Sequence, residues 1–205
     1  MRRMSAFVVA GGLVAAVGAA ALGGCGGGGG SSAAPAPACD AACQDAIAFR
    51  ALRDAIKFVY NIMLAGNPVG EQDAGSACPF GGGDVRVSGE AVSDASQGTT
   101  HIPFPPGLTY VFDHCGYLEQ DSDPSRTFTI TLTGTITESG EIAAQSTSTT
   151  ALKFDSDSMS LTGAVSSPAI PYSANADGGA CAITLTQNGN DLSGTLCGRP
   201  VGLAL

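Results

Sequence analysis

Asp113-His114-Cys115 is the place in this 205-residue chain where a carboxylate, an imidazole and a thiol follow one another directly. Such a triple invites a reading as a nucleophilic thiol with an attendant base. Neighbours along a strand point to opposite faces, however, so the imidazole would face away from the thiol. A thiol consumed in a disulfide would in any case be inert. His114 shares parity with Leu108, Tyr110 and Phe112 and reads as a histidine near a strand end; the second histidine, His101, stands alone. No Gly-x-Ser-x-Gly elbow and no His-Glu-x-x-His helix accompanies them. Asp121-Ser122-Asp123 and Asp155-Ser156-Asp157 offer calcium-type oxygens, but they lack the glycine and terminal glutamate of an EF-hand loop and read as turns between strands. Cys39 and Cys43 lack the Cys-x-x-Cys spacing of a zinc site, and both histidines lie far from them. These residues therefore predict no catalytic constellation, no metal and no cofactor.

The cysteines carry more information. There are seven, an odd number, which in an exported chain needs a reason. At the N-terminus Arg2 and Arg3 precede an apolar stretch over residues 6–22, too glycine-rich and slightly too short for a stable membrane span. It ends at Leu22-Gly23-Gly24-Cys25, which resembles the bacterial lipobox. That resemblance implies cleavage before Cys25, a diacylglyceryl thioether on its sulfur and acylation, of the palmitate type, on the new amine. Several chains anchor far more firmly than one, at about 0.8 kcal/mol per buried methylene. A plain secretory signal cut near Ala20 and an uncleaved anchor helix are the competing readings. Gly26, in place of an aspartate after the lipidated cysteine, favours the outer membrane. Residues 26–37, glycine then Ser, Ala and Pro, read as a flexible tether spanning about 20 Å.

Lipid on Cys25 leaves Cys39, Cys43, Cys78, Cys115, Cys181 and Cys197 as disulfide candidates in an oxidising compartment. Connectivity stays open, with Cys78–Cys115 and Cys181–Cys197 favoured by proximity. The expected organisation is a signal peptide over 1–24, a lipidated cysteine and tether over 25–38, and one folded domain over 39–205. Nine basic and eighteen acidic residues give a net charge of −9; loss of Arg2 and Arg3 with the leader makes it −11. That balance repels polyanions and excludes nucleic acid as a partner.

Within the domain, residues 40–65 show helical periodicity. Ile47, Leu52, Ile56, Val59, Tyr60 and Met63 share one face, Arg50, Asp54, Lys57 and Asn61 the other; Asp40 suits the N-cap and Gly66-Asn67-Pro68 the stop. From 78 to 205 the chain reads as β. Over 127–137 every odd position is Thr and every even position apolar or Gly, the pattern of an antiparallel strand with one buried face. A second strand over 142–154 is expected to return through a Glu138-Ser139-Gly140 loop, setting Ile136 opposite Ile142 and Gly134 opposite Ala144. A final hairpin is expected to turn at Asn188-Gly189, with Leu185 facing Leu192 and Ile183 facing Gly194; this sends Cys181 and Cys197 to opposite faces unless a bulge intervenes. Gly89, Gly134, Gly163 and Gly194 recur in one short phrase, as in Leu132-Thr133-Gly134-Thr135-Ile136. They predict an inward-facing trough on which the helix lies.

Cys78-Pro79-Phe80-Gly81-Gly82, then Tyr110 to Cys115, then Gly134-Thr135-Ile136, resemble the cadence of uncharacterised cysteine-rich bacterial lipoproteins, a likeness that implies structure and no activity. The expected fold is α+β: one amphipathic helix packed on a curved, mainly antiparallel sheet of about six to eight strands, stapled by disulfides. The expected function is that of a non-catalytic envelope lipoprotein at the cell surface or in the periplasm, held to the membrane through Cys25 and acting structurally or by interaction with another envelope protein. A carrier of an apolar ligand between helix and sheet is the alternative, followed by an enzyme of unrecognised class.

Overall fold

Asp40, itself in an extended conformation, starts the helix, its Oδ1 accepting from the Cys43 N–H at 2.9 Å. This is an N-cap satisfying one of the free amides of the first turn. The computed structural model describes residues 39–64, 70–94, 96–145 and 148–205. Helix α1 runs Ala41–Met63 and closes with Leu64 bonding back to Tyr60. The anticipated Gly66-Asn67-Pro68 stop lies outside the described residues, as do the leader, Cys25 and the tether. The apolar face sits where periodicity placed it: Ile47, Leu52, Ile56, Val59 and Tyr60 are buried, and Lys57 and Asn61 are exposed. Arg53 is also buried, which the stripe did not foretell.

Ten strands follow among the described residues: β1 Gly70–Ala77, β2 Asp84–Asp94, β3 Thr99–Ile102, β4 Leu108–Glu119, β5 Phe128–Ala143, β6 Ala151–Val165, β7 Ile170–Ser173, β8 Cys181–Asn188, β9 Asp191–Leu196 and β10 Arg199–Ala204. All pair antiparallel in one sheet. Ten strands correct the expected six to eight, and the topology shows why. The hydrogen-bonded path crosses eight strands, β1-β2-β3-β5-β6-β8-β9-β10, while β4 shares the lane of β3 between β2 and β5, and β7 pairs with β6 beyond the end of β8. Short strands such as β3 and β7, and the Gly- and polar-rich β1, carry too little alternation to be read from sequence.

β5 alternates as its threonines predicted, with Phe128, Ile130, Leu132 and Ile136 buried. The hairpin expected at residues 138–140 does not exist. β5 runs straight through to Ala143, because β3 on one side and β6 on the other satisfy its backbone: Gly140 pairs with both Ile102 and Leu152. Ile136 and Ile142 are therefore on the same strand, and the return strand begins at Ala151 rather than 142.

Bulges break the register in β4 between Phe112 and Cys115, between β5 and β6 at Gly134/Thr137, and between β6 and β8 at Ser156/Met159. Such extra residues bend a strand and raise its twist. They also switch parity, so the buried positions of β6 pass from Leu152 and Phe154 to Met159, Leu161 and Val165.

The four phrase glycines do sit opposite core residues, Gly134 opposite both Phe112 and Met159, and Gly194 opposite Leu185. The trough for the helix is corrected. A Cβ at any of the four would strike backbone of the adjacent strand, at Gly134 the Ser158 carbonyl oxygen at 2.6 Å, and each has φ between +126° and +155°. Neighbouring strands, not α1, demand glycine there, and Gly163 is exposed.

The last hairpin is shifted from its expected register. Asn188 pairs with Asp191, so Gly189-Asn190 form the turn, Leu185 faces Gly194 and Ile183 faces Leu196. That shift, together with a left-handed Cys197 (φ 51°), brings Cys181 and Cys197 together. The six cysteines lie as three pairs at disulfide distance, Cys39–Cys43, Cys78–Cys115 and Cys181–Cys197, with Cα separations of 5.3, 5.3 and 5.2 Å.

Candidate functional site

The Cys-Pro-Phe-Gly-Gly loop explains the first shared motif structurally. Phe80 bridges to Gly116 beside Cys115, and a side chain at Gly116 would collide with the Phe80 carbonyl. His114 sits in the β4 bulge, not at a strand end. It has φ 51° and is largely exposed, with Nδ1 2.6 Å from Asp113 Oδ1; Cys115 is fully buried. The bulge thus separates the imidazole from the sulfur. His101 lies against Glu141 on the surface, Nδ1 to Oε1 2.6 Å. Asp121 and Asp123 close a loop through an Asx bond, as expected of turn chemistry. Asp155-Ser156-Asp157 is not a turn: it lies within β6, where Ser156 Oγ donates to the Thr135 carbonyl at 2.6 Å and Asp155 pairs with Lys153 at 2.6 Å. No helix among the described residues is long and apolar enough to cross a membrane.

Two buried polar groupings were not anticipated. At the N-terminal half of α1, Asp45 is 7 % exposed. Arg199 of β10 binds it two-pronged, Nε to Oδ2 at 2.7 Å and Nη2 to Oδ1 at 2.8 Å, while Tyr172 of β7 donates to Oδ1 at 2.7 Å. Burial opposes ionisation of Asp45, but the Arg199 and Tyr172 donors outweigh it and hold the carboxyl below its ordinary value. Arg199 also donates to the Ala174 carbonyl at 2.8 Å. This cluster is saturated and pins the helix to the last strand.

The second grouping is not saturated. Glu138, expected in a loop, lies in β5 on the buried face, 2 % exposed. It continues the even parity of Ile130, Leu132 and Ile136, a signal that the turn-like Glu-Ser-Gly sequence overrode. Tyr110 of β4, fully buried, donates its hydroxyl to Glu138 Oε2. Desolvation pushes the Glu138 carboxyl up to about 7, the Tyr110 bond pulling only partly against it. Burial, and then the nearby carboxyl, push the Tyr110 hydroxyl well above its ordinary value; Tyr60 of α1 is raised by burial and by Glu138 as well, against a bond to Thr100.

Glu138 borders a cavity of about 240 Å³ between α1 and the sheet. Ile142, Leu152 and Phe154 supply its apolar wall, and Arg53, Lys57 and Gln187 its polar side. The Gln187 amide is spent on the Gly189 carbonyl at 2.9 Å. Arg53 is 9 % exposed; its Nη2 reaches Asp54 Oδ1 at 3.0 Å, but its Nε is buried with no hydrogen-bond partner among the described residues. The site therefore holds a buried acid, a buried guanidinium and an apolar wall. That combination suits reversible binding of a small amphiphile. Comparison with protein-family models, curated proteins and solved structures gives no match.

Proposed function

We propose that the chain is a lipid-anchored envelope protein whose domain acts by non-covalent interaction rather than by catalysis. The anchor rests on the lipobox resemblance at Leu22-Gly23-Gly24-Cys25 and on the pairing of the other six cysteines, which leaves Cys25 as the odd one. The observation that carries the interaction role is the filled interior. Helix and sheet meet over a continuous core running from Phe49 and Leu52 through Tyr110, Phe112 and Phe154, with no exposure above 2 % at these positions. The 240 Å³ cavity is below the several hundred Å³ that a lipid-sized cargo requires.

Expression of the full chain in a Gram-negative host, followed by detergent phase partition, tests the anchor. The wild type is expected in the detergent phase and Cys25→Ser in the aqueous phase after processing; equal partition would overturn the anchor. Cross-linking in intact envelopes, read by mass spectrometry, is expected to give discrete protein adducts. Co-purified lipid without adducts would overturn the interaction role.

A second reading, small-ligand binding in the helix–sheet cavity, is favoured by the buried Glu138 and the Arg53 and Lys57 cations that border it.

A further inference from the structure

The helix–sheet cavity has a polarity that narrows what it can hold. Its charged lining is two cations, Arg53 and Lys57, together with the buried Glu138. Arg53 borders the cavity with a buried guanidinium whose Nη2 reaches Asp54 Oδ1 at 3.0 Å. One helical turn on, Lys57 also borders the cavity and pairs with no carboxylate among the described residues. Two cations on one wall stand out in a chain of net charge −9. The opposite wall, Ile142, Leu152 and Phe154, is apolar. At ~30 Å³ per water the cavity holds roughly eight waters, and so a ligand of roughly ten heavy atoms.

We propose that this cavity binds a small monocarboxylate, aryl or medium-chain, with its carboxylate on the Arg53–Lys57 side and its apolar body against Ile142, Leu152 and Phe154. The inference deepens the small-ligand reading of the cavity and rests on it.

Glu138 makes the site pH-dependent. While it carries its proton it is neutral and can donate to the ligand; once ionised it repels the ligand's charge and becomes an acceptor facing an acceptor. Tyr110 from β4 bonds to it and Tyr60 from α1 feels its charge; Arg53 and Lys57 from α1 line the same cavity, and β6 and β8 present uncharged Leu152, Phe154 and Gln187. The tyrosines, pushed up by burial, stay neutral across the range in which Glu138 titrates. The anion should therefore bind more tightly below pH 7 than above it. A one-unit rise in the Glu138 value on binding corresponds to a factor of about ten in affinity.

The test uses the full chain in phosphatidylcholine nanodiscs, with empty nanodiscs as reference, titrated calorimetrically with 3-phenylpropionate, 3-phenylpropylamine and 3-phenylpropanol at about pH 5.5 and about pH 8.5. The acid is expected to bind at the lower pH and to weaken about tenfold or more at the higher, while the amine binds at neither. Lys57→Gln, at an exposed helix position, should weaken the acid several-fold without shifting thermal unfolding. Glu138→Gln, if folded, should bind the acid equally at both pH values. Binding of the alcohol alone, or of the amine as tightly as the acid, would overturn the carboxylate class and leave the cavity reading standing. Binding of none of the three would overturn both.

Discussion

Glu138 couples the stability of the domain to pH in a direction opposite to the usual carboxylate. Its native value of about 7 lies above the ordinary 4.5, so between those points the folded chain holds a proton that the unfolded chain has released. Stability must therefore fall as pH rises through that window and level off above about 7. The shift corresponds to a loss of about 3 kcal/mol, at 1.36 kcal/mol per unit. Asp45 works the other way, but its depressed value confines its effect to more acidic solution. Urea unfolding of the wild type at about pH 5 and about pH 8 should show the drop, and Glu138→Gln should remove most of it; a wild type equally stable at both would refute the assignment. None of this was legible in the residue alone. Glu138-Ser139-Gly140 has the chemistry of a turn, and the alternation that placed Glu138 indoors extends only one step beyond Ile136. The carboxyl tolerates burial because Tyr110, twenty-eight residues earlier, reaches it across a strand pair. No local pattern encodes that partner.

At the scale of elements, α1 was the most legible, since its apolar stripe, its cap and its length all agree with one another. The strands were legible where alternation ran long, as in β5, and illegible where bulges switched parity. Gly134 stands at such a switch, flanked by register shifts toward β4 and β6. With φ +126° and the Ser158 carbonyl oxygen 2.6 Å from where a Cβ would stand, a methyl there has no place to go. Gly134→Ala should cost well over about 1 kcal/mol, the opposite of the gain expected when glycine occupies an ordinary β conformation. Chemical denaturation compares it with Gly75→Ala in the edge strand β1, where the nearest atom to a Cβ is 3.8 Å away and φ is not left-handed; that substitution should be close to neutral. Equal effects would show that the recurring glycines are incidental.

At the scale of the molecule, the long-range cross-links set the stability floor. The Cys78–Cys115 pair closes a 37-residue separation and ties the exit of β1 to the middle of β4. By loop-closure entropy its removal, as Cys78→Ser with Cys115→Ser, should cost about 4 kcal/mol, against about 2 kcal/mol for the four-residue separation of Cys39 and Cys43. Melting temperatures of the two double variants should rank accordingly. The α+β class was readable, because a helix stripe and a strand alternation are local; the cysteine connectivity stayed open, because it depends on strand register that the sequence alone misplaced in the last hairpin. Strand count was not readable, because two lanes of the sheet are each filled end to end by more than one strand.

The three pairings share a property that bears on assembly. Along the chain the partners are 39 with 43, 78 with 115, and 181 with 197, so every cysteine beyond Cys25 is joined to its immediate neighbour in order and no loop encloses or crosses another. A polypeptide threaded out of the cell N-terminus first would expose each sulfur and then, as the next one to appear, its correct mate. With Cys25 already occupied by lipid, as proposed above, an oxidase that links thiols in order of arrival would reach the native set without a proofreading isomerase.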